Sequence, residues 1–372
     1  MTKKLHLVSF DVPYPTNYGG VIDVFYKLKA LHKQNIEIYL HVFEYGKGEQ
    51  LILNKYCKEV YYYKRNPYLS SIIDKKIPFI AKSRGNIELI ENLKKTNAPI
   101  LFDGLHTTFV LTQTNFPNQK IYVRVHNIEH EFYKGLYKSE TNIFRKTFYK
   151  QEAKKLKEYE AILNKVDGIF SISPHEQAYF LKTYGEKAIY IPAFHKVPEN
   201  NNLSKKGKIV FYHGNLLVSE NTTAAKFLID IYKKTEFNLV IASSFENKNI
   251  LKLISNFKNI DFKKLETESD LIHLFQEAHI NVLPTFQKTG IKLKLLNSLY
   301  QSRFIIANNF MIDDTGLETL VEKANTKKEF LEKTVHLFQQ EFNAEIQQKR
   351  VAKLNEINPT TSAEKLVKSI FN

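Results

Sequence analysis

Two histidines stand where a polar side chain can take part in chemistry. His106 ends the run APILFDGLH and is flanked by Gly104 and Thr107, and His126 ends KIYVRVH just before Asn127. Both runs are typical of β-strands, so we expect both rings at the carboxyl end of a strand, where ligands of α/β sheets bind. A neutral imidazole there can hydrogen-bond a hydroxyl group or stabilise charge at a reacting centre. The alternative is a capping or core histidine.

Two glycine turns are candidates for phosphate binding. Gly19 and Gly20 follow the strand-like LHLVSF and precede a helical stretch. Their N–H groups can approach a diphosphate at a helix N-terminus, or they form only a tight turn. In FQKTGIKLKLLNSL, Gly290 opens another helix beside Lys292 and Lys294. We expect Lys292 and the amides near Gly290 to hold a diphosphate, and Lys294, on a different face, to contribute less.

Two successive alternations of strands and helices position these residues. The first contains LHLVSF, IEIYLHVFEY, EVYYYKR, APILFD, KIYVRV, VDGIFSIS and AIYIPAF, with a long helix expected over Asn142–Asn164. The polar stretch PENNNLSKKGK then precedes KIVFYHGN, FNLVIAS, NIDFKK, INVLPTF and RFIIANN. This order predicts an α/β protein with two parallel-sheet domains, residues 1–195 and 208–357. The last helix, about 358–372, is expected to pack back on the first domain.

The composition narrows the function classes. A chain of 372 residues, 43 % of them hydrophobic, can bury the cores of two domains. Its single cysteine, Cys57, allows no intramolecular disulfide and has no ligand-spaced partners for zinc. No window approaches the ~20 apolar residues of a membrane span, so we expect a cytoplasmic protein or one peripheral at the inner membrane face. The formal net charge of +15 favours anionic partners, although lysine enrichment alone also accounts for it.

Six segments, in this order, resemble the retaining GT-B glycosyltransferases of family 4 (glycosyl transferases group 1). They are PYPTNYGG, ILFDGLH, VRVHNIEHEFY, FSISPHE, YHGNLLVSEN and LPTFQKTGIKLKLLNSL, and the resemblance covers nearly the whole chain. It implies the GT-B architecture, in which two Rossmann-like domains face each other across a cleft. It also implies a hexosyltransferase-type enzyme that moves a sugar from a nucleotide-diphosphate donor to a glycan or lipid-linked acceptor in polysaccharide biosynthesis. Such an enzyme works with retention and without a metal or other cofactor.

The resemblance also implies roles for individual residues. The N-terminal domain is the acceptor side, and the C-terminal domain binds the nucleotide sugar. The implied catalytic residues are His106 and His126, and the implied acceptor-side residues are Asn127, Glu129 and His130, the last two in a loop beyond the strand. The implied residues of the donor site are Gly19, Gly20, Gly214, Asn215, Thr289, Gly290, Lys292 and Asn297.

Two departures from the family's pattern bear on the donor site. Thr289 and Asn297 stand where the family has two glutamates. A neutral amide in place of the second glutamate costs about 1–2 kcal/mol of donor affinity. In YHGNLLVSEN, Asn215 and Glu220 lie where many relatives carry cations, so the diphosphate charge is expected to fall mainly on Lys292.

Two other functions stay open at this stage. The neutral Asn297 and the missing cations also fit a non-catalytic GT-B-like scaffold protein in polysaccharide assembly. The net charge and the interleaved Tyr and Lys of EVYYYKR suit nucleic-acid binding, but no recognition motif supports it, and we expect no nucleic-acid partner. The expected partners are a nucleotide-diphosphate sugar, the acceptor, and an anionic membrane in peripheral contact.

Overall fold

The computed structural model describes residues 2–16, 18–67, 74–140, 142–198, 203, 206–286 and 293–372. Two compact units make up this part of the chain. The N-terminal unit holds the residues up to Lys196 together with those from Ile357 onward, and the C-terminal unit holds the described residues from Val197 to Glu356. Among the described helices, none has both the length and the apolar character that crossing a bilayer requires.

Seven parallel strands form the sheet of the N-terminal unit. They are β1 (Lys4–Ser9), β2 (Glu37–Glu44), β3 (Glu59–Lys64), β4 (Ile100–Asp103), β5 (Ile121–Val125), β6 (Gly168–Ser171) and β7 (Ala188–Tyr190). Their spatial order is β3-β2-β1-β4-β5-β6-β7, so the direction of winding reverses beside β1. Val8 of β1 pairs with His41 of β2 and with Phe102 of β4. The carboxyl ends of β1 and β4 are therefore neighbours, at the point where sheets of this kind bind ligands.

Helices and short turns connect these strands. The helices are α1 (Gly19–Lys33), α2 (Phe79–Lys82), α3 (Ile87–Lys94), α4 (Glu129–Ser139), α5 (Ile143–Tyr159) and α6 (Pro174–Tyr184), and the 3-10 segments are Leu51–Lys55, Leu105–Thr112, Glu160–Lys165 and Gly185–Lys187. The helix expected over Asn142–Asn164 is shorter than predicted, because Asn142 caps it and a tighter 3-10 segment follows Tyr159. The side chain of Asn142 accepts the N–H of Phe144, which satisfies one of the free amides at the helix start.

The C-terminal unit contains a second parallel sheet of six strands. They are β8 (Ile209–His213), β9 (Leu239–Ser243), β10 (Ile260–Lys264), β11 (Ala278–Leu283), β12 (Phe304–Ala307) and β13 (Glu322–Lys323), in the spatial order β10-β9-β8-β11-β12-β13. The helices are α7 (Ser219–Tyr232), α8 (Lys248–Ile254), α9 (Glu268–Glu277), α10 (Leu293–Gln301), α11 (Asn309–Ile312), α12 (Lys327–Phe338) and α13 (Ala344–Asn355), with a 3-10 turn at Glu318–Leu320. Two Rossmann-like parallel sheets confirm the predicted α/β fold class.

The last helix, α14 (Pro359–Phe371), belongs to the core of the N-terminal unit. Alternate residues of β1 and β2, among them Leu7 and Leu40, point to the face covered by Val24 of α1. Leu366 and Ile370 of α14 join the same buried cluster. The chain therefore returns to its first domain after the second sheet is complete.

Candidate functional site

The segments that follow three strands meet at the carboxyl end of the N-terminal sheet. They follow β1, β4 and β5, and they bring Phe10, His106 and His126 together. The ring of Phe10 lies 5.3 Å from the ring of His106. It meets the ring of His126 edge-on at 5.5 Å. The two histidines singled out in the sequence are thus gathered around one aromatic side chain.

Gly19 and Gly20 form the first turn of α1, beside this aromatic ring. A Cβ atom on Gly20 would lie 2.6 Å from Cζ of Phe10, which is closer than two carbon atoms can approach. A glycine at this position therefore lets Phe10 pack against the start of α1. The binding of phosphate by the amides of the two glycines stays a prediction.

His126 is held by a buried acid at the end of β4. Its Nε2 atom forms a hydrogen bond with Asp103, and Asp103 also accepts from Nζ of Lys27. Burial would raise the pKa of Asp103, but the charge of Lys27 and the hydrogen bond from His126 outweigh it and lower the pKa. Asp103 thus occupies the Nε2 side of His126, and Nδ1 is the ring nitrogen that remains for another partner. This Nδ1 atom is buried and has no hydrogen-bond partner among the described residues.

A buried ion-pair network is joined to His126 through Asp103 and Lys27. Asp23 of α1 accepts two hydrogen bonds of 2.7 Å from Arg124 of β5 and one of 3.1 Å from Lys27. All three side chains are fully buried. The charges of Arg124 and Lys27 hold the pKa of Asp23 far below its ordinary value, although burial alone would raise it. Sequence reasoning missed this network, although an acid and a lysine four residues apart on the apolar face of α1 signal it.

The same residues offer a possible set of metal ligands. One ligand atom from each of Asp23, Asp103 and His126 lies within 4.8 Å of the others, and all three residues are buried. Lys27 and Arg124 already neutralise the two carboxylates and use their lone pairs. A metal ion would have to displace these buried cations, so the donor set does not fit one well. We assign the cluster as a charge-balanced network that positions His126.

Glu129 adds a carboxyl group next to His106. It is buried, and its Oε1 atom lies 4.0 Å from Nδ1 of His106. Neither atom has a hydrogen-bond partner among the described residues. Burial raises the pKa of Glu129 to about 7, against the weaker opposing effects of a hydrogen bond from Asn127 and the charge of Arg84. Burial also lowers the pKa of His106, and the charge of Arg84 adds to this effect.

The position of Glu129 and His130 corrects one sequence expectation. Both residues lie in the first turn of α4, not in a loop, because acids such as Glu129 and Glu131 stabilise a helix N-terminus. Nε2 of His130 lies 3.1 Å from the hydroxyl group of Tyr179 and 4.0 Å from the carboxylate of Glu160. These contacts join His130 to α6 and to the 3-10 segment Glu160–Lys165. They indicate that His130 has a structural role in packing.

In the C-terminal unit, the loop after β8 is braced by asparagines and a lysine. Asn221 donates to the carbonyl group of Asn215 at 2.8 Å, and Asn215 accepts the N–H of Leu217 at 2.9 Å. Lys294 of α10 donates to the side chain of Asn221. A Cβ atom on Gly214 would lie 2.7 Å from Nζ of Lys294, so the lysine occupies space that the glycine leaves open. Asn221, which is braced against Asn215, therefore holds a cation supplied by α10.

His213 and Asn297 flank this lysine. Burial and the charge of Lys294 lower the pKa of His213 to about 3, so its imidazole is neutral. Its Nδ1 atom is buried without a partner among the described residues. Asn297 follows Lys294 by three residues on α10 and therefore shares its face. Lys292, Thr289 and Gly290 lie outside the described residues, so their predicted roles rest on the sequence.

Comparison with solved structures shows the GT-B fold of glycosyltransferases. TarM gives a TM-score of 0.70 at 13 % identity, covering 100 % of this chain and 99 % of TarM. An S. aureus TarM variant, solved with Fondaparinux, alpha-GlcNAc-glycerol and UDP, gives 0.65 at 13 % identity and covers 100 % of both chains. A glycosyltransferase from Rickettsia africae ESF-5 gives 0.64 at 16 % identity, covering 99 % of this chain and 97 % of that one. At these identities the likeness concerns the fold.

Comparison of sequences adds one relative of similar length. A Klebsiella pneumoniae protein, described as an uncharacterized 44.6 kDa protein in the cps region, is 25 % identical over 334 residues. The match covers 84 % of each chain. No protein-family model matches the sequence.

Proposed function

We propose that this protein is a metal-independent, retaining glycosyltransferase of the family 4 type. It moves a hexose from a nucleotide-diphosphate donor to a glycan or lipid-linked acceptor. The observation that carries the proposal is the likeness to glycosyltransferase structures, which extends over the whole chain and both Rossmann-like units. One of these structures, the S. aureus TarM variant, was solved with UDP, the diphosphate that a UDP-sugar releases on transfer.

The donor site is proposed for the C-terminal unit. Lys294 and the amides of the loop at Gly214 would bind the diphosphate, and Asn297 would hydrogen-bond the ribose. Lys294 supports this role because it provides a positive charge at the carboxyl end of β8. Positive groups fixed at that point stabilise the charge that develops on the leaving diphosphate without a metal ion. Lys292, Thr289 and Gly290 are proposed to complete the site, as the family resemblance implies.

The acceptor and the reacting groups are proposed for the N-terminal unit. During transfer, the bond between the anomeric carbon and the diphosphate oxygen breaks, and its electron pair leaves with the diphosphate. A hydroxyl oxygen of the acceptor forms the new bond to the same carbon and releases its proton to a base. Nδ1 of His126 suits this contact because Asp103 fixes the opposite ring nitrogen as a donor. His106, Asn127 and Glu129 are proposed to bind the acceptor.

Peripheral contact with an anionic membrane is also proposed, for the start of α5. Ile143 and Phe144 are 67 % and 83 % exposed there. Arg145 follows them directly and is exposed as well. Apolar side chains beside basic ones are the combination that binds the surface of an anionic bilayer. Such contact would bring the chain close to a lipid-linked acceptor.

Release of nucleoside diphosphate from sugar donors tests the proposal. The purified protein is incubated with UDP-, GDP- and ADP-sugars in EDTA, with a membrane extract as the source of acceptor. We expect turnover of one donor, and a loss of about 100-fold or more in a His126→Ala variant. His336→Ala, an exposed change on α12, serves as the control and is expected to keep the wild-type rate.

Two results would contradict this account. Equal rates for wild type and His126→Ala would remove His126 from the reacting centre. If one nucleoside diphosphate binds but no donor is turned over with any acceptor preparation, the protein is a non-catalytic scaffold of the same fold.

A further inference from the structure

We infer that Arg84 and Arg65 of the N-terminal unit form a binding site for a phosphate group carried by the acceptor. The inference rests on the proposed function, because it names the chemical class of the acceptor. The two arginines lie on the side of the sheet where β1 and β3 end, next to the cluster of His106 and Glu129. They have no part in the transfer chemistry proposed above.

Arg84 is a buried cation that forms no ion pair with a described carboxylate. Its side chain is 3 % exposed, and it donates to the carbonyl group of Phe10 at 2.9 Å and to that of Ile80 at 2.6 Å. Both acceptors are neutral. Among the described residues, no carboxylate lies within 4.0 Å of the guanidinium group. A buried charge of this kind is costly unless an opposite charge binds to it.

The other buried arginine of this unit shows what a purely structural arrangement looks like. Arg124 is equally inaccessible, but it pairs with Asp23 through two parallel hydrogen bonds of 2.7 Å. The fold therefore gives Arg124 a carboxylate in direct contact and leaves Arg84 bonded only to neutral carbonyl groups. Arg84 differs in lying beside loops that carry the proposed acceptor site.

Arg65 places a second unpaired cation nearby. It follows β3, donates to the hydroxyl group of Ser83 at 2.9 Å, and stacks at 4.6 Å on the ring of Tyr45. No ion pair joins it to a carboxylate in the part of the chain that the structure describes. Burial and the charge of Arg65 together lower the pKa of Arg84 to about 10. Two cations close enough to repel each other are stabilised when an anion binds to both.

The groups around the arginines are compatible with an anionic ligand. His106 keeps 22 % of its side chain exposed, so a ligand can reach this cluster. Burial holds its pKa well below 6.5, and the ring is a neutral hydrogen-bonding group. The nearby carboxyl group, Glu129, has a pKa raised to about 7, so it is largely protonated in mildly acidic solution and does not repel an anion there.

The guanidinium group favours phosphate among the common anions. Its planar donors match two phosphate oxygens at once, and each bond to a charged oxygen is about twice as strong as a neutral one. The phosphate belongs either to a lipid phosphate or to a phosphorylated polyol or glycan. Both sources present the same chemistry to Arg84 and Arg65.

Titration calorimetry with three probes tests the inference. The probes are inorganic phosphate, glycerol 3-phosphate and water-soluble dihexanoyl phosphatidic acid, added to full-length protein that is already saturated with UDP. If UDP does not bind, the same titrations are run without it. We expect binding of at least one phosphate monoester, weakened about tenfold or more in Arg65→Gln and in Arg84→Gln. Tighter binding of the lipid probe identifies a lipid phosphate, and equal binding identifies a polyol or glycan phosphate.

The control is Lys182→Gln, which removes one positive charge from an exposed position of α6 and should bind like wild type. Arg84→Gln also removes bonds to two carbonyl groups, so Arg65→Gln carries the test if Arg84→Gln does not fold. Unchanged affinity in Arg65→Gln, equal weakening in Lys182→Gln, or no binding by wild type overturns the inference. If phosphate binding depends on Arg65 but the protein binds no nucleotide, the phosphate site stands and the proposed transfer function is contradicted.

Discussion

Nδ1 of His106 lies 4.0 Å from Oε1 of Glu129, and neither atom has a hydrogen-bond partner in the described chain. Burial shifts their pKa values in opposite directions, to about 7 for Glu129 and well below 6.5 for His106. Near neutral pH the pair therefore combines a partly protonated acid with a neutral base. Such a pair can hydrogen-bond a hydroxyl group as donor and as acceptor.

Glu129→Gln is expected to stabilise the N-terminal unit at alkaline pH. The pKa of Glu129 is about 7 in the folded protein and 4.5 ordinarily, so this group favours folding below pH 4.5 and loses that contribution as pH rises through 7. The loss amounts to about 3 kcal/mol when the carboxylate is fully ionised. The unfolding free energy of Glu129→Gln minus that of wild type should therefore rise between about pH 5 and pH 8. Urea denaturation of both proteins at the two pH values measures this difference in unfolding free energy. A difference that does not change with pH would contradict the raised pKa of Glu129.

Asp23→Asn is expected to destabilise the N-terminal unit by about 3–5 kcal/mol, because it leaves Arg124 and Lys27 buried with one carboxylate between them. Asp230→Asn is the matched control. Asp230 pairs with Lys233 and Lys327 at the surface, where solvent screens the charges. Urea denaturation should show a large effect for the first variant only, and similar effects in both would argue against the network.

Gly104→Ala is expected to disturb His106. Gly104 has a φ of 80°, and a Cβ atom there would lie 2.8 Å from Nδ1 of His106. A side chain in this backbone region costs about 1–3 kcal/mol. Gly135→Ala in α4 is the control, since a Cβ atom there meets nothing within 4 Å, and it should stabilise the protein by about 0.5–1 kcal/mol. Thermal unfolding should show a lower unfolding temperature than wild type for Gly104→Ala and a higher one for Gly135→Ala. A higher unfolding temperature for Gly104→Ala would be inconsistent with this geometry.

Acid is expected to weaken the N-terminal unit through a buried histidine pair. Nδ1 of His6 lies 2.9 Å from Nε2 of His41, and burial lowers the pKa of His6 to about 4. The unfolded chain takes up this proton near pH 6.5, so the stability present above pH 6.5 is lost as pH falls towards 4, by about 3 kcal/mol. His6→Gln should lose less stability than wild type over this range. The control His336→Gln, at an exposed position, should lose as much stability as wild type. Parallel pH profiles of wild type and His6→Gln would refute the assignment.

The sequence was sufficient for the two sheets and for the helices with regular apolar spacing. The last helix, expected over about 358–372, spans Pro359–Phe371 in the structure, and His126 follows directly on a strand as expected. α13 was missed because its exposed face is almost entirely polar and leaves few apolar positions to set a period. Glu129 was assigned to a loop because it follows closely on the end of β5, where a connecting segment was expected before the next helix.

The candidate site was predictable only where its residues adjoin a strand or a glycine turn. The bond between Lys27 and Asp103 joins residues 76 positions apart, and the bond between Arg124 and Asp23 spans 101 positions. Only the packed sheet brings such residues together. Arg84 lies in a polar stretch that reads as an ordinary loop, and its burial follows from tertiary packing. The contact between Lys294 and Asn221 was not predictable either, because α10 and the loop after β8 meet only in the packed fold.

Titration of the full-length protein with UDP, GDP and ADP in EDTA tests the proposed nucleotide-sugar function most directly. The account predicts that one diphosphate binds to wild type and that Lys294→Ala weakens it about 10- to 150-fold, the loss of one charge-assisted contact. Lys292→Ala, measured alongside, tests the second predicted cation, and Lys328→Ala on the exposed surface of α12 should bind like wild type. Binding of none of the three diphosphates, or equal affinity of Lys294→Ala and Lys328→Ala, would contradict the account.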